Sequence, residues 1–232
     1  MKLGISPWWV QSSTPAWFQE WPNPTVPAVA AGVYVVWREG QLIYAGMSGR
    51  NIEKQQHRKK YGLVTRLESH AKGRLSGDQF NVYVANRFVV PGLTAKQQSQ
   101  MSTGVLTLDI LTRQYILQYF HYQYLIVGHS KEAFAIERLC QSGFIFNQKP
   151  FLNPIASSPT VSDLQILQAF LDKSSCWVPN LGSSFRANLL PQKELKAMMS
   201  VLLGVLMLCL QASCWELTTF CWGGAFKYLL YI

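Results

Sequence analysis

The stretch that most constrains the fold of this chain runs from residue 32 to residue 46 and has the pattern of a β-hairpin. Its arms, residues 32–37 and 41–46, are rich in Val, Ile, Tyr and Trp, which suit a pleated, half-buried surface. Gly40 ends the segment between the arms, where a three-residue loop needs a residue in the left-handed conformation. We therefore expect a hairpin with residues 38–40 as its loop.

The length of this loop sets the register of the hairpin. With three residues in the loop, Trp37 pairs with Gln41 and Tyr34 faces Tyr44, so that two phenols stand side by side on one face. A two-residue loop, Glu39-Gly40, would slip the register by one residue and place the tyrosines on opposite faces. We expect the three-residue loop.

Composition restricts the classes of protein that this chain can belong to. It has 232 residues, of which 49% are hydrophobic, enough for one ordinary domain with appendages and too many for global disorder. Lys and Arg number 21 against 12 Asp and Glu, a net charge of +9, which favours a polyanionic partner, either nucleic acid or an anionic membrane surface.

The five cysteines lack metal-ligand spacing, and no apolar run follows Met1, so we expect free thiols and a cytoplasmic location.

Much of the positive charge is concentrated just after the hairpin. Residues 50–74 contain eight Lys or Arg and two Glu, which accounts for +6 of the net charge. A run of charges is usually only a solvated face, but this one adjoins the hairpin and could contact phosphates. The residues expected to bind nucleic acid are Arg50, Lys54, Arg58, Lys59, Lys60, Lys72 and Arg74.

The rest of the chain alternates helical and extended patterns around an expected α/β (α+β) domain at residues 31–155. Residues 1–30, rich in Trp and Pro, form an irregular arm. The expected elements are a helix at residues 62–72 ended by Gly73, a strand at 80–90, a loop at 93–102, a helix at 103–120, a strand at 121–127, a helix at 131–141 capped by Ser130, and a short helix at 161–173 within the segment 156–190.

Residues 191–232 form a hydrophobic C-terminal tail. Residues 197–215 carry no charge, and this uncharged stretch has the minimum length for a membrane span. The lysines before it would keep the N-terminal domain on the cytoplasmic side. Gln211 and Ser213 shorten the unbroken apolar run to the length of a buried helix. A span, a buried helix and a segment that the domain does not use all stay open.

Two helices carry residues that could perform chemistry. Arg66 and His70 are four apart and share a helix face; they are either surface residues or a phosphate clamp, since Arg offers a planar fork and His exchanges protons near neutral pH. Glu137 lies at the edge of an apolar arc next to Ala133. It is either a boundary residue that reaches water or a carboxylate aimed into a site, where it could hold one hard divalent cation.

Taken together, these residues resemble the GIY-YIG nuclease family over about residues 32–153. Gly32-Val33-Tyr34 and Tyr44-Ala45-Gly46 are similar to its paired signature, with Val and Ala in place of Ile. Arg66-Leu67-Glu68-Ser69-His70 matches the Arg-Leu-x-x-His of its helix, and Glu137 and Leu152-Asn153 follow in the family's order. The insert between Tyr44 and Arg66 and the segment 80–120 are both long for the family.

The resemblance implies a small mixed sheet of three or more strands flanked by helices, with an inserted strand and helix. It implies an endonuclease that hydrolyses phosphodiesters, in DNA or possibly RNA, with Glu137 holding one Mg²⁺ or Mn²⁺. Tyr34 would be the general base with a lowered pKa, Arg66 would stabilise the phosphate, and Tyr44 and His70 would position it or relay protons. Asn153 would brace the site. Which of Tyr34, Tyr44 and His70 is the base stays open.

Two other functions fit the same residues. A non-catalytic nucleic-acid-binding module of this fold would keep the basic surface without a working metal site. A membrane-tethered protein would use the basic segment on anionic lipid. Metal-dependent cleavage separates the first from a nuclease, and fractionation separates the second.

Overall fold

The structure of the chain is a computed structural model, and it describes residues 14–153 and 158–175. This part contains a sheet of five strands and six helices. The strands are β1 (Ala16–Trp17), β2 (Val29–Arg38), β3 (Gln41–Ser48), β4 (Tyr61–Gly62) and β5 (His121–Val127). The helices are α1 (Leu63–Lys72), α2 (Gln79–Val84), α3 (Ala95–Ser102), α4 (Leu108–Tyr119), α5 (Ser130–Gln141) and α6 (Val161–Ser175).

The sheet is mixed, and β2 is its centre. The strand order is β1-β5-β2-β3, with antiparallel pairing between these neighbours, while β4 pairs in parallel with the first residues of β2. The expected α+β class with a mixed sheet is therefore confirmed. The central strand is flanked by partners on both edges, which holds Tyr34 in a rigid part of the molecule.

Helices cover both faces of this sheet. The face that carries Tyr34, which we call the site face, packs against α1, α2 and α4. Its buried residues include Tyr34, Leu63, Leu67, Phe80 and Tyr122. The apolar face packs against α5 and α6, and its buried residues include Val33, Val35, Leu42, Ala45, Ile136, Leu139 and Cys140. Alternate residues of β2 therefore contribute to two separate hydrophobic clusters.

The expected register of the hairpin is wrong. Arg38 pairs with Gln41 around a two-residue loop, and Tyr34 pairs with Gly46. Trp37 pairs with Leu42 but Val36 pairs with Tyr44, so Ile43 is an extra residue that forms a β-bulge. The bulge adds a second one-residue shift to the first, and because side chains alternate between faces, a total shift of two leaves Tyr34 and Tyr44 on the same face.

The loop itself has the geometry of a tight hairpin turn. Glu39 and Gly40 have φ angles of 50° and 78°, both positive as a type I′ turn requires. The carbonyls of Leu42 and Ile43 at the bulge accept hydrogen bonds from the backbone N–H groups of Phe151 and Leu152, at 3.0 and 2.8 Å. The bulge thus anchors the segment that carries Asn153.

The expected strand at residues 80–90 is also wrong, because this segment is helical. Asp78 caps α2, and a wider helical turn (Ala85–Val89) and a short 3-10 turn (Val90–Gly92) follow. Phe80 and Val84 are buried four residues apart, as on a helix face. The β-branched and aromatic residues favoured a strand locally, and packing against α1 and α4 overrode that preference.

Two other expectations need correction. The expected loop at residues 93–102 contains α3, which starts with a capping box formed by Thr94 and Gln97. The helix expected from residue 103 begins at Leu108, after the N-cap Thr107. Capping residues determined both boundaries, and the hydrophobic pattern did not reveal them.

The remaining elements agree closely with expectation. The helix at residues 62–72 is α1, and Gly73 ends it in the left-handed conformation with φ 67°. The N-cap of α5 is His129 instead of Ser130. Helix α6 packs its Leu164 and Leu167 against the apolar face.

Of the N-terminal arm expected at residues 1–30, the structure describes residues 14–30, in which β1 pairs with β5, Phe18 is fully buried and β2 already begins at Val29. The hydrophobic tail at residues 191–232 lies outside the described residues. Within residues 14–153 and 158–175, no helix is both long enough and apolar enough to cross a membrane.

Candidate active site

A cleft of about 790 Å³ opens between the hairpin, α1 and α5. It is lined by Tyr34 and Tyr44 from the sheet, Arg66 and His70 from α1, and Glu137 from α5. These are five of the six residues that the sequence singled out as catalytic. Residues more than 100 positions apart in the chain thus face the same space.

The two tyrosines lie side by side in this cleft. Their ring centroids are 6.2 Å apart, and Tyr34 is 2% exposed while Tyr44 is partly buried. Gly46 lies opposite Tyr34, and a Cβ atom there would be 2.7 Å from Tyr34 Cζ and 2.9 Å from Tyr44 Cε1. Only glycine leaves room for both phenols, which explains the tripeptide Tyr44-Ala45-Gly46.

The hydroxyl of Tyr34 is part of a buried chain of hydrogen bonds, which we call the relay. Tyr34 Oη lies 2.8 Å from His70 Nε2, and His70 Nδ1 lies 2.8 Å from Asp78 Oδ2. Asp78 Oδ2 also accepts a hydrogen bond from Ser69 Oγ at 2.6 Å, and Oδ1 accepts one from the Phe80 N–H at 3.1 Å. Tyr34, His70 and Asp78 are each no more than 2% exposed.

Sequence reasoning missed Asp78 because it placed residues 80–90 in a strand. An Asp just before a helix is a strong N-cap candidate, and that is the signal that could have found it. Asn81 completes the junction by donating hydrogen bonds to the carbonyls of Ser69 and Arg74, at 3.2 and 2.9 Å. The inserted segment therefore holds Asp78 against α1.

Burial controls the ionisation of the tyrosines. Burial, with a smaller contribution from Tyr44, raises the pKa of Tyr34 well above 10. Burial and the charge of Glu137 raise the pKa of Tyr44 to about 12. Arg66 lowers both pKa values but does not outweigh burial. Arg66 alone therefore does not give Tyr34 the lowered pKa expected of a general base, and both phenols are protonated at neutral pH in the absence of a cation.

The buried His70–Asp78 pair carries a single charge at neutral pH, unlike an exposed ion pair. Burial lowers the pKa of His70, against the influence of Asp78. Burial alone would raise the pKa of Asp78, but hydrogen bonds from His70 and Ser69 hold it below its ordinary value. We therefore assign a neutral imidazole and an ionised carboxylate at neutral pH.

Glu137 presents its carboxylate to the cleft from the edge of the apolar face. Its Oε1 accepts a hydrogen bond from the Met47 N–H at 3.0 Å. Burial raises its pKa to about 7, against the lowering effects of that hydrogen bond and of Arg50 and Arg66. A carboxylate that is poorly solvated in this way gains from a cation beside it.

The Glu137 carboxylate could serve as one ligand of a hard divalent cation. Mg²⁺ in phosphate-transfer sites commonly takes one or two carboxylates, keeps several waters and binds substrate phosphate oxygens. Glu137 would be the protein ligand. Among residues 14–153 and 158–175 there is no group of three or more His, Cys, Asp or Glu that could hold a metal ion, so the other ligands would come from water and substrate.

Asn153 does not line the cleft but supports its wall. Its Oδ1 accepts a hydrogen bond from the Ala45 N–H and its Nδ2 donates one to the Ala45 carbonyl, both at 2.9 Å. Gln141 Nε2 donates a second hydrogen bond to the same carbonyl at 3.3 Å. The backbone between Tyr44 and Gly46 is thereby fixed at the point where the phenols meet.

Two guanidinium groups flank the carboxylate. Arg66 is exposed on α1 and forms no hydrogen bond or ion pair with any residue that the structure describes. Arg50 also lines the cleft, and it is the one member of the expected nucleic-acid-binding set that does so.

Lys60 and Lys72 form ion pairs with Glu68 at 3.8 and 2.9 Å, and Arg58 lies over the ring of Tyr61. Lys54, Lys59 and Arg74 are exposed outside the cleft.

In comparisons with protein-family models, with curated proteins and with solved structures, this chain has no match. The resemblance to GIY-YIG nucleases thus rests on the hairpin tripeptides, the Arg66–His70 motif, Glu137 and Leu152-Asn153.

Proposed function

We propose that the protein is a metal-dependent endonuclease that hydrolyses phosphodiester bonds in DNA. The observation that carries this proposal is the cleft, because it combines the Glu137 carboxylate, two arginines and the Tyr34–His70 pair around a space that can admit a phosphodiester. A cation and guanidinium groups near a phosphate stabilise the charge that develops in its transition state.

The roles of the residues follow from their positions. Arg66 and Arg50 bind the nonbridging oxygens of the scissile phosphate. Glu137 holds Mg²⁺ or Mn²⁺, which when bound would act as a Lewis acid toward that phosphate. Tyr34 takes the proton of the attacking water while it passes its own proton to His70, since a free phenolate is scarce when the pKa is so high. Tyr44 orients the phosphate beside Tyr34.

The test is cleavage of supercoiled plasmid by the purified full-length chain, with Mg²⁺, with chelator, and with two variants. Glu137→Gln removes the carboxylate charge and keeps the side-chain volume. Glu39→Gln, on the exposed hairpin turn, removes one negative charge outside the cleft and is the matched control. We expect nicking that requires metal, survives Glu39→Gln, and falls by about 1,000-fold in Glu137→Gln.

Two results would count against the proposal. Cleavage that persists in the Glu137→Gln variant would place the activity elsewhere or in a contaminant. A wild-type chain that is inert with metal, but binds DNA with a steep salt dependence, would instead identify a binding module.

A further inference from the structure

Asp78 has two oxygens with different partners. Oδ1 accepts the N–H of Phe80 and so caps α2, whereas Oδ2 faces His70 Nδ1 and Ser69 Oγ. The cap needs only one oxygen. The second oxygen is aimed at the imidazole that contacts Tyr34.

The chemistry of the relay fixes which nitrogen of His70 carries the proton. An ionised carboxylate only accepts hydrogen bonds, so Nδ1 must be the protonated nitrogen. A neutral imidazole then has a free lone pair on Nε2. The Tyr34 hydroxyl, 2.8 Å away, donates to that lone pair.

We propose that Asp78 is a positioning residue that locks His70 in the Nδ1–H tautomer, so that His70 Nε2 receives the Tyr34 proton during hydrolysis. This inference rests on the proposed nuclease function for its catalytic part, whereas the assignment of the tautomer stands by itself. Asp78, the N-cap residue just before the segment 80–120 that is long for the family, then supplies the third member of the relay.

Protons and bonds balance in this step. The water oxygen bonds to phosphorus as its proton passes to Tyr34 Oη, and the Tyr34 proton passes to His70 Nε2. The bond from phosphorus to the leaving oxygen breaks with its electron pair, and that oxygen takes a proton from solvent. His70, briefly an imidazolium held by the charge of Asp78, returns its extra proton to cleft water through Tyr34.

The groups around His70 are consistent with this role. Among the described residues, the titratable or charged groups that face its ring are Tyr34 from β2, Tyr44 from β3, Asp78 before α2 and Arg66 from its own helix. Within residues 14–153 and 158–175, Asp78 alone carries negative charge within hydrogen-bonding distance of the ring. It is therefore the one neighbour that can stabilise an imidazolium directly.

The direct test is the tautomer of His70, read from the ¹⁵N chemical shifts of its ring in the full-length protein and assigned with His70→Gln. We expect Nδ1–H in the wild type. In Asp78→Asn the side-chain oxygen can keep the helix cap while its amide donates to Nδ1, which forces the proton to Nε2. Ser69→Ala is the matched control, because it removes one hydrogen bond to Asp78 and keeps the carboxylate.

The kinetic test compares pH profiles of plasmid cleavage. Asp78→Asn should lower the rate about 100-fold or more at neutral pH, and the rate should then rise with pH because hydroxide replaces His70 as the acceptor of the Tyr34 proton. Above the pH range in which Glu137 ionises, the wild type should show no such rise, and neither should Ser69→Ala, which keeps the carboxylate of Asp78. A residue with a purely structural role would lower the rate equally at every pH.

The outcomes separate the two proposals. An Nε2–H tautomer in the wild type, or a variant Asp78→Asn with the wild-type rate and profile, overturns the role of Asp78 even if the protein is a nuclease. A wild type that does not cleave with metal overturns the nuclease proposal, and the ¹⁵N shifts still decide the tautomer. If Asp78→Asn does not fold, the wild-type shifts alone provide the test.

Discussion

The two faces of the sheet bury different chemistry, although the same strands supply both. On the apolar face, Val33 and Val35 of β2 pack against Ile136 and Leu139 of α5. On the site face, Tyr34 of the same strand is hydrogen-bonded to His70, which is hydrogen-bonded to Asp78. One face holds aliphatic side chains where the other holds a buried polar chain.

The buried polar chain of the site face costs folding free energy that the apolar face does not. Burying a polar group is costly unless it is hydrogen-bonded, and even then an apolar replacement is often as stable. Every polar atom of the relay has a partner, so the cost is limited. A buried, fully paired chain that ends at a cleft is typical of a site under functional constraint.

The sharpest test uses two adjacent residues of β2 that point to opposite faces. Tyr34→Phe removes only the hydroxyl, and we expect plasmid cleavage to fall about 1,000-fold, or about 4 kcal/mol in activation free energy. Val35→Ala should lower the free energy of unfolding by about 2 kcal/mol and leave the cleavage rate of the folded protein unchanged. Equal loss of activity in both variants would contradict the division between the faces.

Arg66 and Arg74 offer a second comparison, because both are exposed and only Arg66 lines the cleft. Arg66→Ala should lower kcat about 100-fold by removing charge stabilisation of the transition state. Arg74→Ala should change kcat by less than about threefold and weaken DNA binding only through its charge. Neither should shift the melting temperature. A large drop in kcat for Arg74→Ala would mean that the cleft does not define the site.

His70 and Asp78 should make the stability of the folded protein depend on pH. The pKa of His70 in the folded protein lies below 6.5 because of burial, so the unfolded chain binds more protons at this site in acid. The contribution of His70 to the free energy of unfolding should therefore fall as pH drops below about 6.5, and the lowered pKa of Asp78 extends this loss to more acidic pH. The raised pKa of Glu137 acts in the opposite direction, so the comparison with a His70 variant isolates the contribution of His70. Urea titrations across pH should show a flatter profile for His70→Gln, whereas the exposed His57→Gln should match the wild type.

The smallest effect should come from the two side chains that hold the Ala45 carbonyl. Asn153→Ala removes two hydrogen bonds and should lower the free energy of unfolding by about 1–2 kcal/mol, with a few-fold loss of cleavage. Gln141→Ala removes one longer hydrogen bond and should cost about 0.5 kcal/mol or less. Thermal unfolding and plasmid assays measure both. A larger effect from Gln141→Ala would assign the support of β3 to α5 instead of Asn153.

The sequence predicted the hairpin, α1, β5 and α5 because their patterns are local and strong. It also selected the five catalytic candidates that the structure places in one cleft. It did not predict the helices between residues 79 and 102, where strand-favouring residues gave way to packing and capping. Asp78 was lost with that misassigned segment.

By itself, then, the sequence determined the α+β class, the alternation that sends Tyr34 and Val35 to opposite faces, and the chemical types available to a site. The tertiary structure decided the register, the bulge at Ile43 and the contact between Asp78 and His70. The register and the bulge depend on strand pairing, and the contact between Asp78 and His70 depends on a segment that folds against its local preference. No pattern within a short window of sequence carries that information.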